Sequence, residues 1–176
     1  MKDIALAAPS IDSLFTPAGD GLVIHDVDAM PPFLMSVVSP SDHWLFVSSR
    51  GGVTLGRVEA GRALLPYETD DRLHACQHGP VTAVRVRDAA GREQLWTPFR
   101  EHRRPGVRRR HLRKSIRGDW LEFEEVAHDL GLALRVRWTT SECFGFERRC
   151  SLRRLSGNGP ITVTLVDGLT HVLPAG

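Results

Sequence analysis

The sequence is poor in cysteine and has no long apolar run. Its three cysteines, Cys76, Cys143 and Cys150, are an odd number and form no Cys-x-x-Cys pair, so neither a disulfide framework nor a zinc ribbon is indicated. This usage fits a reducing compartment, and we expect the chain in the cytoplasm. The apolar run at 4–8 is too short for a secretory signal. Because no segment reaches the roughly 20 apolar residues that span a bilayer, we expect no membrane insertion.

Nucleotide-binding loops and helical periodicity are missing too. The glycines at 51, 52 and 56 have the wrong spacing for a phosphate-binding loop, and no Lys-Ser or Lys-Thr pair directly follows them. No segment repeats apolar residues at the i, i+3, i+4, i+7 spacing of an amphipathic helix, and only Glu68 to His74 is predicted as a short helix. We therefore expect no cofactor.

What the chain does contain is an alternation of apolar and polar residues that is typical of half-buried strands. Strands are predicted at 22–24, 33–38, 44–49, 53–58, 120–126, 132–138, 146–155 and 161–166, with a hairpin around 84–96. In the strand at 132–138, large apolar residues alternate with Arg135 and Arg137, so we expect Trp138 in the core. With 176 residues, 41% of them apolar, the pattern predicts one all-β domain, an antiparallel β-sandwich over residues 21–176. Residues 1–20 are predicted to be a loose N-terminal segment.

The last residues suggest a further strand. Asp167-Gly168 is typical of a turn, and the apolar run Leu169–Leu173 follows it. We expect a new strand to begin there, and we hypothesise that the chain is the N-terminal part of a longer polypeptide whose sandwich is truncated at its C-terminal end.

Positive charge is concentrated in one segment, residues 100–117, which we call the basic stripe. It holds nine Arg and Lys residues and a single acid, Glu101, although the formal net charge of the whole chain is only +2. One interpretation is an edge strand whose arginines pair with the acidic strand residues Glu122, Glu124 and Glu125. The alternative is a polyanion-binding site that uses Arg108, Arg109, Arg110 and Arg113.

Two features of the basic stripe argue against nucleic acid as its partner. No aromatic residue lies between Phe99 and Trp120 to stack on bases. Pro105-Gly106 interrupts any recognition helix.

Two further patterns resemble a catalytic site and a metal site, but neither completes one. Glu122 and Glu124 would lie about 6.5–7 Å apart on one strand face, a spacing that inverting glycosidases use, but exposed ion pairs have the same pattern. His74, Cys76 and His78 match no standard zinc spacing. We assign no catalytic residue and no metal. Trp44 and Trp96 remain as candidates for stacking on a sugar.

The sequence resembles one known family. The runs HWLFVSSRGGVTLGRV at 43–58, FGFERRCSLRRL at 144–155 and VDGLTHVLPAG at 166–176 are similar to the N-terminal β-sandwich of large bacterial proteins related to cellobiose phosphorylase. This resemblance implies a galactose-mutarotase-like super-sandwich that precedes a helical (α/α)₆ barrel. In such enzymes the catalytic acids lie on the barrel, so no family catalytic residue is carried onto this chain.

The resemblance also implies a role. The chain would be a non-catalytic module of a carbohydrate-active phosphorylase or hydrolase. It would pack against the downstream catalytic domain, help to shape its sugar site, and contribute to a homodimer. The alternative is a free-standing module that binds glycans through Trp44 or Trp96, or polyanions through the basic stripe.

Overall fold

The computed structural model describes residues 15–75, 79–100 and 107–174. Its strands are β1 (Phe15–Ala18), β2 (Gly21–Ile24), β3 (Leu34–Val37), β4 (His43–Ser48), β5 (Val53–Arg57), β6 (Ala63–Leu65), β7 (Pro80–Arg87), β8 (Glu93–Trp96), β9 (Arg108–Ser115), β10 (Trp120–Ala127), β11 (Leu132–Ser141), β12 (Gly145–Arg154) and β13 (Thr162–Leu169). The helix α1 spans Asp70–Ala75, and single 3₁₀ turns lie at Val27–Ala29 and Ala60–Arg62.

The strands form three antiparallel sheets. A six-stranded sheet has the order β1-β2-β9-β10-β11-β12, a four-stranded sheet the order β3-β4-β5-β6, and a three-stranded sheet the order β13-β7-β8. Apolar residues from the two smaller sheets pack against the same face of the six-stranded sheet, so the prediction of an all-β antiparallel sandwich is confirmed.

Strand β11 shows how the alternation builds the core. Leu132, Leu134 and Val136 face the three-stranded sheet, whereas Trp138 faces the four-stranded sheet. All four are at most 3% exposed, so the core position predicted for Trp138 is confirmed. Burial of such side chains stabilises the fold by about 1.5–3 kcal/mol each. The two smaller sheets thus share one continuous apolar surface.

Two predictions at the chain ends need correction. Strand β1 pairs with β2, so the sheet begins before residue 21, where the sequence placed the boundary; residues 1–14 lie outside the described residues. At the other end, Asp167-Gly168 forms no turn, because β13 pairs with β7 continuously through Leu169. Thr82 Oγ1 donates to Asp167 Oδ1 at 2.6 Å and holds that residue in the strand.

The helical content is small. Helix α1 overlaps the helix that was predicted at 68–74, and its Leu73 is 2% exposed. In the part of the chain that the structure describes, no helix has the length and apolar character needed to cross a membrane.

Candidate functional site

Trp44 lies on the outer face of the four-stranded sheet. Its neighbour Leu45 points into the core, so the alternation of β4 places the indole on the opposite side. Gly56 is the cross-strand partner of Trp44, and a Cβ added there would overlap the Cζ2 atom of the indole and lie 2.8 Å from the Cα of Ala63. The absence of a side chain at Gly56 therefore lets the Trp44 ring lie over β5.

Two more aromatic rings extend this surface. The ring centroid of Phe46 lies 5.9 Å from that of Trp44 at an interplanar angle of 32°, and the ring of Tyr67 lies 5.6 Å away at 83°. These separations are within the range of favourable aromatic pairs. Tyr67 is 59% exposed, so one of the three rings stands largely in solvent.

A groove runs beside these rings, between the sheet and the loop that leads to α1. Its volume is about 410 Å³, and its lining residues are Leu34, Phe46, Thr54, Tyr67, Glu68, Thr69 and Leu73. Thr54 donates its hydroxyl hydrogen to the carbonyl of Pro66 at 2.7 Å, which fixes the loop to the sheet. We call this groove, together with the rings of Trp44, Phe46 and Tyr67, the aromatic groove. Its volume is in the range of about 300–1,000 Å³ that small-molecule sites occupy.

Three consecutive residues of the loop before α1, Tyr67, Glu68 and Thr69, bring polar groups to the aromatic groove. Glu68 pairs with Arg72 of α1 at 3.5 Å, and the Glu68 side chain is 14% exposed. The hydroxyls of Tyr67 and Thr69 add groups that both donate and accept hydrogen bonds. An apolar floor with a few hydroxyl and carboxylate groups at its edge suits a ligand that is flat on one face and polar around its rim.

Trp96 is placed differently from Trp44. It is 1% exposed, and its Nε1–H donates to Oε1 of Glu125 at 2.8 Å. Both faces of the ring are therefore enclosed in the core. A sugar could stack on Trp96 only if the sandwich opened.

The four arginines of β9, the described strand of the basic stripe, pair with acids, as the sequence predicted. The prediction of an edge strand is wrong, because β9 lies between β2 and β10; residues 101–106 of the stripe lie outside the described residues. The pairs are Arg108 with Glu125 and Asp129, Arg109 with Asp26, Arg110 with Glu125, and Arg113 with Glu122 and Glu124. The hydrogen bond from Arg109 lowers the pKa of Asp26, so that carboxylate stays ionised. All four arginines that were candidates for polyanion binding thus already have carboxylate partners, and a polyanion would have to compete with them.

Glu122 and Glu124 form part of the same outer-face network. Arg135 Nε lies 2.7 Å from Glu124 Oε1 and 3.9 Å from Glu122 Oε1, and Arg113 contacts both carboxylates at 3.4 Å. Their pairing fits an ion-pair network and gives no support to a general acid.

Of the pattern formed by His74, Cys76 and His78, the structure describes His74. His74 Nδ1 lies 2.8 Å from the hydroxyl oxygen of Ser48, while Cys76 and His78 lie outside the described residues. Across residues 15–75, 79–100 and 107–174, no three side chains of His, Cys, Asp or Glu are arranged to hold a metal ion.

Sequence reasoning identified Trp44 but missed Phe46, Tyr67 and Gly56. Phe46 and Trp44 are two residues apart in a predicted strand, so their common face was accessible from the alternation alone. Tyr67 comes from a loop 23 positions further along the chain, and no periodicity connects it with β4. Comparison with protein-family models and with curated proteins found no match for this chain.

Proposed function

We propose that the chain is a non-catalytic carbohydrate-binding sandwich module, which binds a glycan in the aromatic groove. The observation that carries the proposal is the placement of Trp44 over Gly56, with Phe46 and Tyr67 beside it on an outer sheet face. Sugar rings present C–H groups on their faces and hydroxyls at their edges. The aromatic rings would contact the C–H faces of the sugar, and the polar groups of Glu68, Tyr67 and Thr69 would form hydrogen bonds with its hydroxyls.

The carboxylates of the aromatic groove do not match those of a glycoside hydrolase. A hydrolase of the usual kind places two carboxyl groups about 5–9.5 Å apart across the bond that it cleaves. Among the side chains that the structure describes, one carboxylate lines the aromatic groove, that of Glu68, which pairs with Arg72. One paired acid supports binding and orientation, and it leaves the second catalytic role unfilled.

The test is isothermal titration of the protein with cello-oligosaccharides and a panel of other soluble glycans. Tyr67→Ala should weaken the binding of any glycan that the wild type holds by about 3- to 10-fold, the scale of one aromatic contact. Leu95→Ala is the control, because Leu95 is 71% exposed and lines neither this groove nor any other surface proposed for binding. Folded protein that binds no glycan, or equal losses in both variants, would contradict the proposal.

A second surface favours an added role as a docking module. Phe144, Phe146, Leu169 and Val172 surround an apolar cavity of about 250 Å³; we call these four residues the apolar seam. Phe144 is 77% and Val172 57% exposed, although large apolar side chains gain from burial. The partner that we propose for the apolar seam is the catalytic barrel implied by the family resemblance.

Site-specific photo-crosslinking tests the docking role. A benzoylphenylalanine residue replacing Phe144, introduced in the native host, should crosslink to a helical carbohydrate-active domain, in the same polypeptide or a tight partner. The same probe at Tyr67, in the aromatic groove, should give no such product. Absence of a crosslink from position 144, or crosslinks only to a second copy of this chain, would reject the barrel as the partner.

A further inference from the structure

A small cavity lies where the three sheets meet. Its volume is about 50 Å³, room for on the order of three water molecules. Phe123, Val136 and Trp138 of the six-stranded sheet form an apolar part of its wall, and three arginines, Arg50, Arg100 and Arg148, also line it. We call it the arginine cavity. It is separate from the aromatic groove, because the two share no lining residue.

The side chain of Arg148 is largely buried. Its side chain is 9% exposed, and Nη1 pairs with Asp167, while Nη2 donates to Thr82 Oγ1 at 3.2 Å. The Nε–H is buried and has no hydrogen-bond partner. Because a buried donor nearly always has an acceptor, this N–H indicates that an acceptor belongs beside it.

Arg50 carries a positive charge that no described acid pairs with. Its guanidinium donates from Nη1 to the carbonyl of Asp28 at 3.0 Å and from Nη2 to the carbonyl of Met30 at 2.9 Å. These two neutral acceptors hold the side chain in position from the loop after β2. Within the described residues no carboxylate forms an ion pair with Arg50, which lines the arginine cavity.

Two described acids contact residues that line the arginine cavity: Asp167 pairs with Arg148, and Glu125 accepts a hydrogen bond from the backbone N–H of Phe99 at 2.7 Å. Burial acts to raise the pKa of Asp167, but hydrogen bonds from Arg148 and Thr82 outweigh it and leave the pKa below its ordinary value. Asp167 is therefore ionised and balances Arg148. The charge of Arg50 is not paired with a described carboxylate. The Nε–H of Arg148 has no hydrogen-bond acceptor.

We propose that the arginine cavity binds one small tetrahedral oxyanion of the sulfate or phosphate class. Guanidinium groups bind such anions through paired, charge-assisted hydrogen bonds. The volume of the cavity excludes a sugar or a nucleotide. The bound anion would join the β4–β5 turn to β12 and so stabilise the packing of the smaller sheets on the six-stranded sheet.

Ligand-linked stability tests the proposal. An anion that binds only the folded state raises its stability by a term that grows with ligand concentration and depends on the dissociation constant. The melting temperature of the full chain should rise in millimolar sodium sulfate, compared with sodium chloride at equal ionic strength. A titration of ³¹P chemical shift or heat with inorganic phosphate should saturate at one site per chain.

Two variants separate specific binding from a general salt effect, since sulfate also stabilises proteins by exclusion from their surface. Arg50→Gln should abolish the saturable shift, whereas Arg153→Gln should retain it, because Arg153 is exposed on the outer face of β12. A shift that rises without saturation and is equal in all three proteins would overturn the proposal. If Arg50→Gln does not fold, the phosphate titration of the wild type decides, and no saturable heat overturns it. Glycan binding is measured separately, so either proposal can fail alone.

Discussion

The indole of Trp96 donates its Nε1–H to Oε1 of Glu125 at 2.8 Å, and neither side chain is more than 1% exposed. The second carboxylate oxygen accepts from the backbone N–H of Phe99 at 2.7 Å and from Nε of Arg110 at 2.9 Å. Phe99 adopts a left-handed φ of 63°, a conformation that costs about 1–3 kcal/mol in a bulky residue. The buried carboxylate thus joins β8, β9, β10 and a strained loop at the centre of the sandwich.

Replacing Glu125 by Ala should therefore lower the free energy of unfolding by about 3–5 kcal/mol, because the change leaves buried donors and a buried guanidinium without their acceptor. Urea denaturation followed by tryptophan fluorescence measures this loss. Glu147→Ala removes a surface carboxylate that pairs with Arg149 at 2.9 Å, and it should cost about 1 kcal/mol or less. Equal losses in the two variants would show that the Glu125 network stabilises the fold no more than an exposed ion pair does.

Gly56→Ala should destabilise the chain and displace the indole of Trp44, because the new Cβ would overlap the ring. The expected cost is about 1–3 kcal/mol, as for other overpacked sites. Unfolding curves and the emission maximum of tryptophan report the two effects. Gly61→Ala is the control, since nothing lies within 4 Å of a Cβ at that position, and a loss of similar size there would argue against the close approach of Trp44.

Protonation of His111 should lower the free energy of unfolding as the pH falls from 7 to 5. Burial lowers its pKa, against the attraction of Asp26 and Glu124 and with some repulsion from His25 and Arg109. The backbone N–H of Asp26 donates to Nδ1 of His111 at 3.3 Å, so the neutral ring is the form that fits. Because the unfolded chain binds the proton near pH 6.5 and the folded chain only at lower pH, unfolding is favoured as pH drops through about 6.5.

His111→Gln should flatten this dependence, since glutamine does not titrate. The free energy of unfolding is measured in urea at pH 7, 6 and 5 for both proteins. Carboxylates with lowered pKa values act in a more acidic window, so their contribution stays the same in the two series. An unchanged slope in the variant would assign the acid sensitivity to another group.

The described cysteines should differ strongly in reactivity. Burial raises the pKa of the Cys150 thiol to about 11, with the nearby Asp167 adding to the effect, so only about 0.1% of it is thiolate at pH 8. Cys143 is exposed. In a Cys76→Ser background, iodoacetamide at pH 8 should modify Cys143 at least about tenfold faster than Cys150, as peptide mass spectrometry can measure. Similar rates would mean that β12 opens readily at Cys150.

The ion pairs show how far sequence reasoning extended. Complementary charges on adjoining strands predicted that arginines of the basic stripe pair with Glu122, Glu124 and Glu125, and the pairs of Arg110 and Arg113 confirm it. The same alternation implied that the side chain of Glu125 points to the opposite face of the sheet from those of Glu122 and Glu124. It did not indicate that a carboxylate facing inward would be buried against Trp96, which lies 29 residues away in the sequence.

The sequence by itself determined most of the strands, their inward faces and the all-β class, because side-chain alternation is a local property that each strand carries alone. It did not predict the short strands β1 and β6. Tertiary structure decided which tryptophan became enclosed and which lay over a glycine on an outer face. It also kept Asp167-Gly168 in a strand, through a contact between Asp167 and Thr82 that spans 85 residues. Such outcomes depend on the order of strands across three sheets, which long-range packing sets and a two-residue period cannot encode.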